Sequence, residues 1–367
     1  MEKLKEVQKV GQSIWLDYIQ RGMITSGQLR ELVDSGVSGL TSNPTIFHKA
    51  VTQSQDYDEA IRSILKSRPD ASIMDIYDRL TVEDIQMAAD VFRPIYDASG
   101  GMDGLVSLEP TPALAYDTEG TVNEVRRLWR LVNRPNLMMK VPATPPGIPA
   151  IEKLFAEGIN VNITLMFSMA HYEAVARAYL QGIARCANPG QITSVASFFV
   201  SRVDTYVDKE LEKLGTEEAM ALRGKAAVVN SKLVYHRFKE VFASEEFMQQ
   251  KRRGARVQRV LWGSTSTKNP AFSDVKYVEE LMGPDTVNTL PTDTIEHFLD
   301  HGQVKDTLNE GVAEAEQTLS DLKKVGIDLD AVTEQLQVDG VKAFQDSFDQ
   351  LIAALEEKCR QVRQVQS

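Results

Sequence analysis

The sequence is poor in cysteine and histidine and has no long apolar run. Its two cysteines, Cys186 and Cys359, lie far apart without metal-ligand spacing, so we expect free thiols in a reducing compartment. Of the five histidines, His297 and His301 have i, i+4 spacing, but no third ligand suggests itself and no metal site is predicted. No stretch approaches the length of a membrane span, and the first residues lack the apolar core of a signal peptide. A cytoplasmic protein without a membrane partner is expected.

Basic residues are also outnumbered. The chain has 41 Lys and Arg against 52 Asp and Glu, a formal net charge of −11. This excess of carboxylates argues against a nucleic-acid partner, and it requires that any anionic substrate be bound by a few local cations. The one short basic run, residues 251–256, is interpreted as a solvated loop. An apolar content of 43% is typical of a globular protein with a sizeable core.

Eight short apolar segments alternate with helical patterns, and neither a low-complexity linker nor a repeat of fixed period divides them. This alternation predicts the α/β class, namely a (β/α)8 TIM-type barrel with additional helices. We expect a single domain over residues 1–367, with a helical excursion at about 209–256 and a helical tail at about 309–367. The predicted strands are Ser13–Asp17, Val37–Thr41, Gly104–Leu108, the run Asn136–Thr144, Ile159–Thr164, Ile192–Ser197, Gln258–Gly263 and Thr286–Leu290.

A doubly wound sheet is the competing architecture, but the Gly-x-Gly-x-x-Gly turn of dinucleotide-binding folds follows none of these strands. Several helix ends also carry local signals. Thr25 with Gln28 predicts a capping box, Ser168 a helix cap, and Asn269-Pro270 an N-cap followed by the first helical residue. Breaks in the helical tail are expected near Gly326 and Gly340.

Lys140 is the most informative single residue. It lies near the carboxyl end of an apolar run that reads as a buried parallel strand closed by Pro142. Burying an ammonium is costly unless it is paired or loses its proton, and a neutral lysine amine is the nucleophile that forms a Schiff base with a ketone. Two alternatives stay open at this point: Lys140 faces water from an edge strand, or it pairs with a structural carboxylate.

Other polar residues fall where the predicted strands end, and in a barrel these ends converge on one face. Each of them has an ordinary alternative as a turn former, helix cap or solvated loop residue. The alternative is weaker for two polar side chains that lie two residues apart on one apolar strand, because they need hydrogen bonds from a ligand or water. That pair is Asn162 and Thr164. The complete set is Asp17, Asn43, Glu109, Lys140, Asn162, Thr164, Ser197 and Ser266.

Together these residue types suit Schiff-base chemistry. Lys140 supplies a nucleophile, and Asp17 and Glu109 supply two candidate acid/base groups. Two cations are candidates for an anion site: Arg202, near a predicted helix N-terminus, and Lys268, after a loop rich in Gly, Ser and Thr at the seventh-strand exit. For Lys268, an ordinary surface lysine in a loop is the alternative.

The chain resembles the transaldolase family over most of its length, and the similar segments follow one another in the family's order. Two of them are similar to the family's signature segments, and the last is similar to its closing helix. The similar segments are residues 37–45, 137–144, 160–168, 196–204, 262–270 and 340–348. The helical excursion places the chain with the longer branch of the family, typical of bacteria and plants.

The resemblance implies a class I Schiff-base enzyme of the pentose phosphate pathway, which transfers a dihydroxyacetone unit from sedoheptulose 7-phosphate to glyceraldehyde 3-phosphate. Its substrate partners would be sugar phosphates, it would need no cofactor, and both a monomer and a homodimer stay open. The implied catalytic residues are Lys140 as the Schiff-base lysine, Asp17 as acid/base at carbon–carbon cleavage, and Glu109 with Thr164 for proton transfer through a water. The implied binding residues are Asn43, Asn162 and Ser197 for dihydroxyacetone, and Arg202, Ser266 and Lys268 for phosphate.

Two departures and two alternatives accompany the resemblance. Many relatives carry arginine at the position of Lys268, and an ammonium lacks the bidentate fork of a guanidinium. The segment around Glu109 also differs from that of the better-known branch. The alternative functions are a fructose 6-phosphate aldolase, which would release free dihydroxyacetone, and a catalytically inactive barrel that serves as an interaction protein.

Overall fold

The eight predicted strands form a closed parallel barrel. The structure, a computed structural model, describes residues 2–366. Each strand pairs in parallel with the next in sequence, and the eighth pairs with the first, with Leu16 opposite Leu290. The predicted (β/α)8 barrel is therefore confirmed. The strands are β1 (Gln12–Leu16), β2 (Gly39–Leu40), β3 (Leu105–Leu108), β4 (Leu137–Pro142), β5 (Val161–Met166), β6 (Ser194–Phe199), β7 (Arg259–Gly263) and β8 (Thr286–Leu290).

Helices surround the barrel and extend it at the carboxyl terminus. In chain order they are α1 (Glu2–Val10), α2 (Arg21–Thr25), α3 (Gln28–Ser35), α4 (Pro44–Thr52), α5 (Asp58–Ser67), α6 (Ile73–Ala98), α7 (Thr118–Val132), α8 (Gly147–Ala156), α9 (Met169–Arg185), α10 (Ser201–Leu214), α11 (Glu217–Met220), α12 (Ala226–Ala243), α13 (Glu245–Arg252), α14 (Lys276–Glu280), α15 (Thr292–His301), α16 (Val312–Lys324) and α17 (Leu329–Gln366). Short 3-10 helices occupy Pro112–Leu114 and Pro189–Gln191.

Apolar side chains pack on both faces of the barrel sheet. A large cluster lies between the strands and the surrounding helices. A separate, smaller cluster fills the barrel interior; its members are Trp15, Leu105, Met138, Val195, Leu261 and Val287. Gly39 faces the Trp15 ring so closely that a Cβ there would lie 2.5 Å from the indole, so glycine makes room for the ring. The interior is therefore a packed core and not a channel.

Helices α11 to α13, with the last turn of α10, make up the predicted excursion. Two carboxylates of α10 attach it to the barrel. Asp208 accepts a hydrogen bond from the Gly224 backbone N–H at 2.8 Å, and Asp204 accepts one from the Ala227 N–H at 2.7 Å. These bonds satisfy free backbone donors where α12 begins, so the start of the longest excursion helix is fixed by buried charge.

The 38-residue helix α17 contacts the carboxyl end of the barrel. The buried side chain of Gln337 donates hydrogen bonds to the Ala143 carbonyl O at 3.0 Å and to the Leu165 carbonyl O at 2.9 Å. Farther along the helix, the Phe348 ring packs edge-on against Tyr77, with ring centroids 5.3 Å apart. Helix α17 is thereby attached to the strand ends of β4 and β5 and to α6.

Two predicted helix starts are wrong. Thr25 ends α2, where its hydroxyl donates to the Arg21 carbonyl, and α3 begins after Gly27, whose positive φ of 90° turns the chain without a side-chain cap. The Asn269 side chain accepts from the Ala271 N–H at 2.9 Å and so stabilises a turn, and the next helix, α14, begins only at Lys276. In each case a polar side chain bonds locally and does not start a helix.

The predicted break at Gly340 is also wrong, whereas the one at Gly326 is confirmed. Gly326 lies between α16 and α17 with a φ of 93°. Gly340 lies inside α17, where a Cβ would come within 2.8 Å of Leu165 Cδ2, so the glycine permits close packing of the helix on β5. Ser168 caps α9 as predicted, accepting from the His171 N–H at 3.0 Å.

Within residues 2–366, no helix combines the length and apolar character needed to cross a bilayer. Cys186 and Cys359 are both buried and free. That residues 1–367 form one domain stays a prediction.

Candidate active site

Polar side chains follow the interior apolar cluster at the carboxyl ends of the strands. Because successive strand residues point to opposite faces, a residue two positions after an interior one also points inward. Trp15 and Met138 belong to the interior cluster, so Asp17 and Lys140 point into the barrel above them. The same spacing places Ser107 and Glu109 above Leu105, Ser197 above Val195, and Thr289 above Val287. This is the end of the barrel at which enzymes of this fold carry out chemistry.

Lys140 is buried in the barrel mouth, with its side chain 6% exposed. Its Nζ donates a hydrogen bond to the Ser42 carbonyl O at 3.0 Å and lies 3.3 Å from Glu109 Oε2. A closed barrel has no edge strand, so the alternative of a solvent-facing lysine is wrong, whereas its pairing with a carboxylate is observed. The amine is therefore held away from bulk water between an acid and a carbonyl.

Two carboxyl groups act on this amine from different strands. Burial raises the pKa of Glu109 above its ordinary value, and the Lys140 charge opposes the rise. Burial likewise raises the pKa of Asp17, opposed first by the Lys140 charge and then by the hydrogen bond from Thr41, whose Oγ1 lies 2.8 Å from Asp17 Oδ1. A carboxyl group with a raised pKa is better matched to proton exchange at neutral pH.

The polar pair of β5 lies beside the lysine. Asn162 donates to Ser107 Oγ at 3.0 Å and accepts from Ser197 Oγ at 2.6 Å, so its amide plane is fixed by two strands. Thr164 Oγ1 is buried and has no hydrogen-bond partner among the residues that the structure describes. A buried hydroxyl without a protein partner is suited to bind a water or a ligand atom.

Arg202 lies in the first turn of α10. Its guanidinium stands 5.1 Å from the centroid of the Phe199 ring and 5.9 Å from that of Phe344. Within residues 2–366 its side chain makes no ion pair or hydrogen bond with the protein. Burial lowers the pKa of Arg202, and the charge of Asp17 opposes this. A half-buried, unpaired guanidinium is suited to an anionic ligand.

The remaining predicted residues border the opening. Lys268 is exposed, and its Nζ lies 2.5 Å from Ser266 Oγ. Asn43 caps α4 by accepting from the Ile46 N–H at 3.0 Å. The helix-cap alternative for Asn43 is thus observed, and its amide N–H groups stay available to a ligand because the cap uses only the oxygen.

A cavity of about 150 Å³ joins these groups. Every predicted site residue except Glu109 lines this cavity. Glu109 is connected to it by its ion pair with Lys140, which does line the cavity. The cavity opens into an outer cleft of about 1000 Å³, which shares Asp17, Arg202 and Lys268 with it. Glu109 instead lines a small adjoining cavity of about 20 Å³, so a water shared by Glu109 and Thr164 stays a prediction. The structure therefore brings the predicted residues together from seven separate strand ends and loops.

Some site residues were not predicted. Ser107 supports Asn162, and the period-two spacing Leu105, Ser107, Glu109 was the available signal. The Ser42 contact uses a backbone carbonyl, which the type of side chain at that position does not reveal. The Phe344 ring, 5.8 Å from Lys140 Nζ, comes from α17, about 200 residues away in sequence, and only tertiary structure places it there.

No group of three or more His, Cys, Asp or Glu side chains in the described part of the chain has the arrangement of a metal site. The residues at the barrel mouth are instead amines, carboxyls, amides and hydroxyls.

Comparison with known proteins agrees with the resemblance seen in the sequence. The family model described as transaldolase/fructose-6-phosphate aldolase matches residues 14–355. A transaldolase of Thiobacillus denitrificans is 46% identical over 360 residues, covering 97% of this chain and 100% of its own. A transaldolase of Frankia alni is 46% identical and covers 96% of both chains, and one of Trichodesmium erythraeum is 41% identical and covers 99% of both. The chain therefore belongs to the transaldolase/fructose-6-phosphate aldolase family.

Proposed function

We propose that the protein is a transaldolase, a transferase that moves a dihydroxyacetone unit from sedoheptulose 7-phosphate to glyceraldehyde 3-phosphate through a Schiff base on Lys140. The observation that carries this proposal is the buried Nζ of Lys140, 3.3 Å from Glu109 and at the base of a cavity with two cations at its mouth. A ketone entering that cavity meets a positioned amine and an adjacent acid, the two groups that imine formation needs.

The reaction begins when the Lys140 amine adds to the ketose carbonyl carbon. Glu109, beside the amine, transfers the protons by which the carbinolamine loses water, with Thr164 holding that water. Asp17 then takes the proton of the hydroxyl on the carbon beyond the bond to be broken. That carbon–carbon bond breaks, its electron pair moves into the iminium to form an enamine, and erythrose 4-phosphate leaves as the aldehyde.

The second half of the reaction runs the same steps in reverse. The enamine carbon forms a bond to the aldehyde carbon of glyceraldehyde 3-phosphate, and Asp17 returns its proton to the new alkoxide. Water then adds to the iminium carbon, the carbon–nitrogen bond breaks, and fructose 6-phosphate leaves Lys140 as the free amine. Asp17 can act in both directions because burial raises its pKa, so that its carboxyl group holds a proton more readily than an exposed one.

Substrate binding divides between the two ends of the cavity. At the inner end, Asn162 and Ser197 form a fixed hydrogen-bonded pair, and they bind the dihydroxyacetone hydroxyls together with Asn43. At the outer end, Arg202, Ser266 and Lys268 bind the phosphate. The unpaired guanidinium of Arg202 is the main support for this assignment, because the chain as a whole repels anions with its charge of −11.

This activity places the protein in carbohydrate metabolism, in the pentose phosphate pathway, and we propose a cytoplasmic location. Its partners are sugar phosphates.

Borohydride trapping tests the nucleophile and the substrate class together. The enzyme is incubated with fructose 6-phosphate and reduced, and we expect added mass on the peptide that contains Lys140. Lys140→Ala should abolish both trapping and turnover while circular dichroism stays unchanged. Lys153→Ala is the matched control, because Lys153 is a lysine of α8 that pairs with Glu119. Trapping that persists in Lys140→Ala would refute the assignment.

The second candidate function is a fructose 6-phosphate aldolase, which the matching family model also includes. Such an enzyme would use the same lysine and release free dihydroxyacetone. The two are distinguished by following fructose 6-phosphate consumption with and without erythrose 4-phosphate as the aldehyde acceptor. We expect turnover to depend on the acceptor, and equal turnover without it would favour the aldolase. A catalytically inactive barrel, the third alternative, would give no trapped product.

A further inference from the structure

The Phe344 ring covers the reactive end of the barrel. It is buried, and its centroid lies 5.8 Å from Lys140 Nζ and 5.9 Å from the Arg202 guanidinium. The ring belongs to α17, which Gln337 attaches to β4 and β5 through two backbone carbonyls. One apolar side chain from outside the barrel therefore lies close to both the buried amine and the cation at the mouth.

The position of the ring relative to the cavities shows what it separates. In the described part of the chain, Phe344 is the one residue that lines the cavity at Lys140, the outer cleft and the small cavity behind Glu109. The small cavity, about 20 Å³, is large enough for one water, for which roughly 10–15 Å³ suffices. Loss of the ring would widen the opening between the cavity at Lys140 and the outer cleft, join the small cavity to both, and admit more solvent next to the amine.

We propose that Phe344 is a specificity-determining residue that favours transfer over hydrolysis by keeping solvent water away from the three-carbon intermediate on Lys140. The proposal rests on the transaldolase function. Premature hydrolysis needs two events: the enamine carbon gains a proton to become an iminium, and a water oxygen then bonds to the iminium carbon. The carbon–nitrogen bond breaks, free dihydroxyacetone leaves, and Lys140 regains its amine. The second event needs a water beside the iminium carbon, and the apolar ring, which cannot hydrogen-bond to water, keeps bulk solvent from that side.

The same ring leaves the productive reaction intact. An aldehyde acceptor enters from the outer cleft with its phosphate at Arg202, and that side of the cavity is open. The final hydrolysis of the product imine needs one water, and the small cavity beside Glu109 can hold it. The ring thus restricts bulk solvent while sparing the acceptor path and a single internal water.

The experiment compares two rates in the full-length enzyme. One is the release of free dihydroxyacetone from fructose 6-phosphate without an acceptor, and the other is transfer of the same unit from fructose 6-phosphate to erythrose 4-phosphate, which forms sedoheptulose 7-phosphate. We expect Phe344→Ala to raise the ratio of release to transfer by about tenfold or more. Phe344→Leu, which keeps apolar cover, should raise it less. Borohydride trapping at Lys140 should persist in both variants.

Phe348→Ala is the matched control, because its ring lies one turn farther along α17 and packs on Tyr77 outside the cavities. It should leave the ratio unchanged. An unchanged ratio in Phe344→Ala with trapping intact, or an equal rise in Phe348→Ala, would overturn the proposal. If Phe344→Ala does not fold, Phe344→Leu decides the question, and a wild-type ratio there overturns it. A wild-type enzyme that does not transfer at all would overturn the proposed function itself, which the wild-type rates establish before any variant is compared.

Discussion

Replacing Gln337 with leucine tests whether α17 is held on the barrel by its two hydrogen bonds. The side chain is buried and donates to the Ala143 and Leu165 carbonyls at 3.0 and 2.9 Å. Each bond contributes about 1 kcal/mol net, and each buried carbonyl left without a donor costs about 1–3 kcal/mol. Because leucine is similar in volume, packing changes little, and the expected loss for the two carbonyls is about 2–6 kcal/mol.

This loss should be measurable as a change in melting temperature. An unfolding entropy of roughly 2.1 cal/mol/K per residue gives about 0.8 kcal/mol/K for 367 residues. A loss of about 3 kcal/mol therefore lowers Tm by about 4 °C, which differential scanning calorimetry resolves. Leu165 follows Thr164 and has a φ of 57°, a conformation that disfavours non-glycine residues, so releasing its carbonyl should also slow turnover.

Gln335→Leu provides the control on the same helix. Gln335 is exposed, and among the residues that the structure describes its side chain bonds only to Asp339, four residues on, an interaction worth about 0.2–0.5 kcal/mol. Its melting temperature and kcat should stay near those of the wild type. If Gln337→Leu matches this control in both measurements, the two carbonyl bonds do not hold the helix, and the reasoning is refuted.

Three further predictions concern substrate binding, proton transfer and pH. Lys268→Ala should raise KM for phosphorylated substrates with little change in kcat, and an unchanged KM would remove it from the phosphate site. Glu109→Gln should slow imine trapping and remove the acidic limb from the pH profile of trapping, because the Glu109 carboxyl, whose pKa is raised, is no longer present to titrate. An acidic limb that is retained in this variant would show that Glu109 is not the group that titrates there. Burial raises the pKa of Asp204 to about 6, from 3.8, so the folded protein binds a proton there that the unfolded chain does not. Wild-type stability should therefore fall as pH rises from about 4 to 6, by up to about 3 kcal/mol from this group, and urea titrations should show that fall lessened in Asp204→Asn.

Strand positions and most of the site could be predicted from the sequence because both depend on local patterns. An apolar run of a few residues followed by a polar one specifies a buried strand and its inward-facing end, and this located Asp17, Lys140 and Ser197. The closed barrel then brings strand ends together whatever the details of the loops. The grouping of these residues therefore follows from the fold class, although their chemical roles stay proposals.

What the sequence could not predict depends on contacts between distant parts of the chain. Phe344 and Gln337 look like ordinary core residues of an amphipathic helix, and only the path of α17 across the barrel gives them their neighbours. Gly340 was expected to break a helix, and instead it permits close packing on Leu165. The prediction at Asn269 was wrong for a different reason. The Asn-Pro pair is typical of a helix start, but here the Asn269 side chain stabilises a turn.

The attachment of α17 has a consequence for protein synthesis. Its residues leave the ribosome after all eight strands, and the far part of the helix bonds back to a segment made early, since Lys358 Nζ lies 2.7 Å from Asp58 Oδ1. A barrel that closes during translation would therefore hold its lysine uncovered until Phe344 emerges and docks. In nascent chains stalled before that residue, the Lys140 amine would lack the cover of the Phe344 ring, and amine reagents should modify it faster than in the finished enzyme.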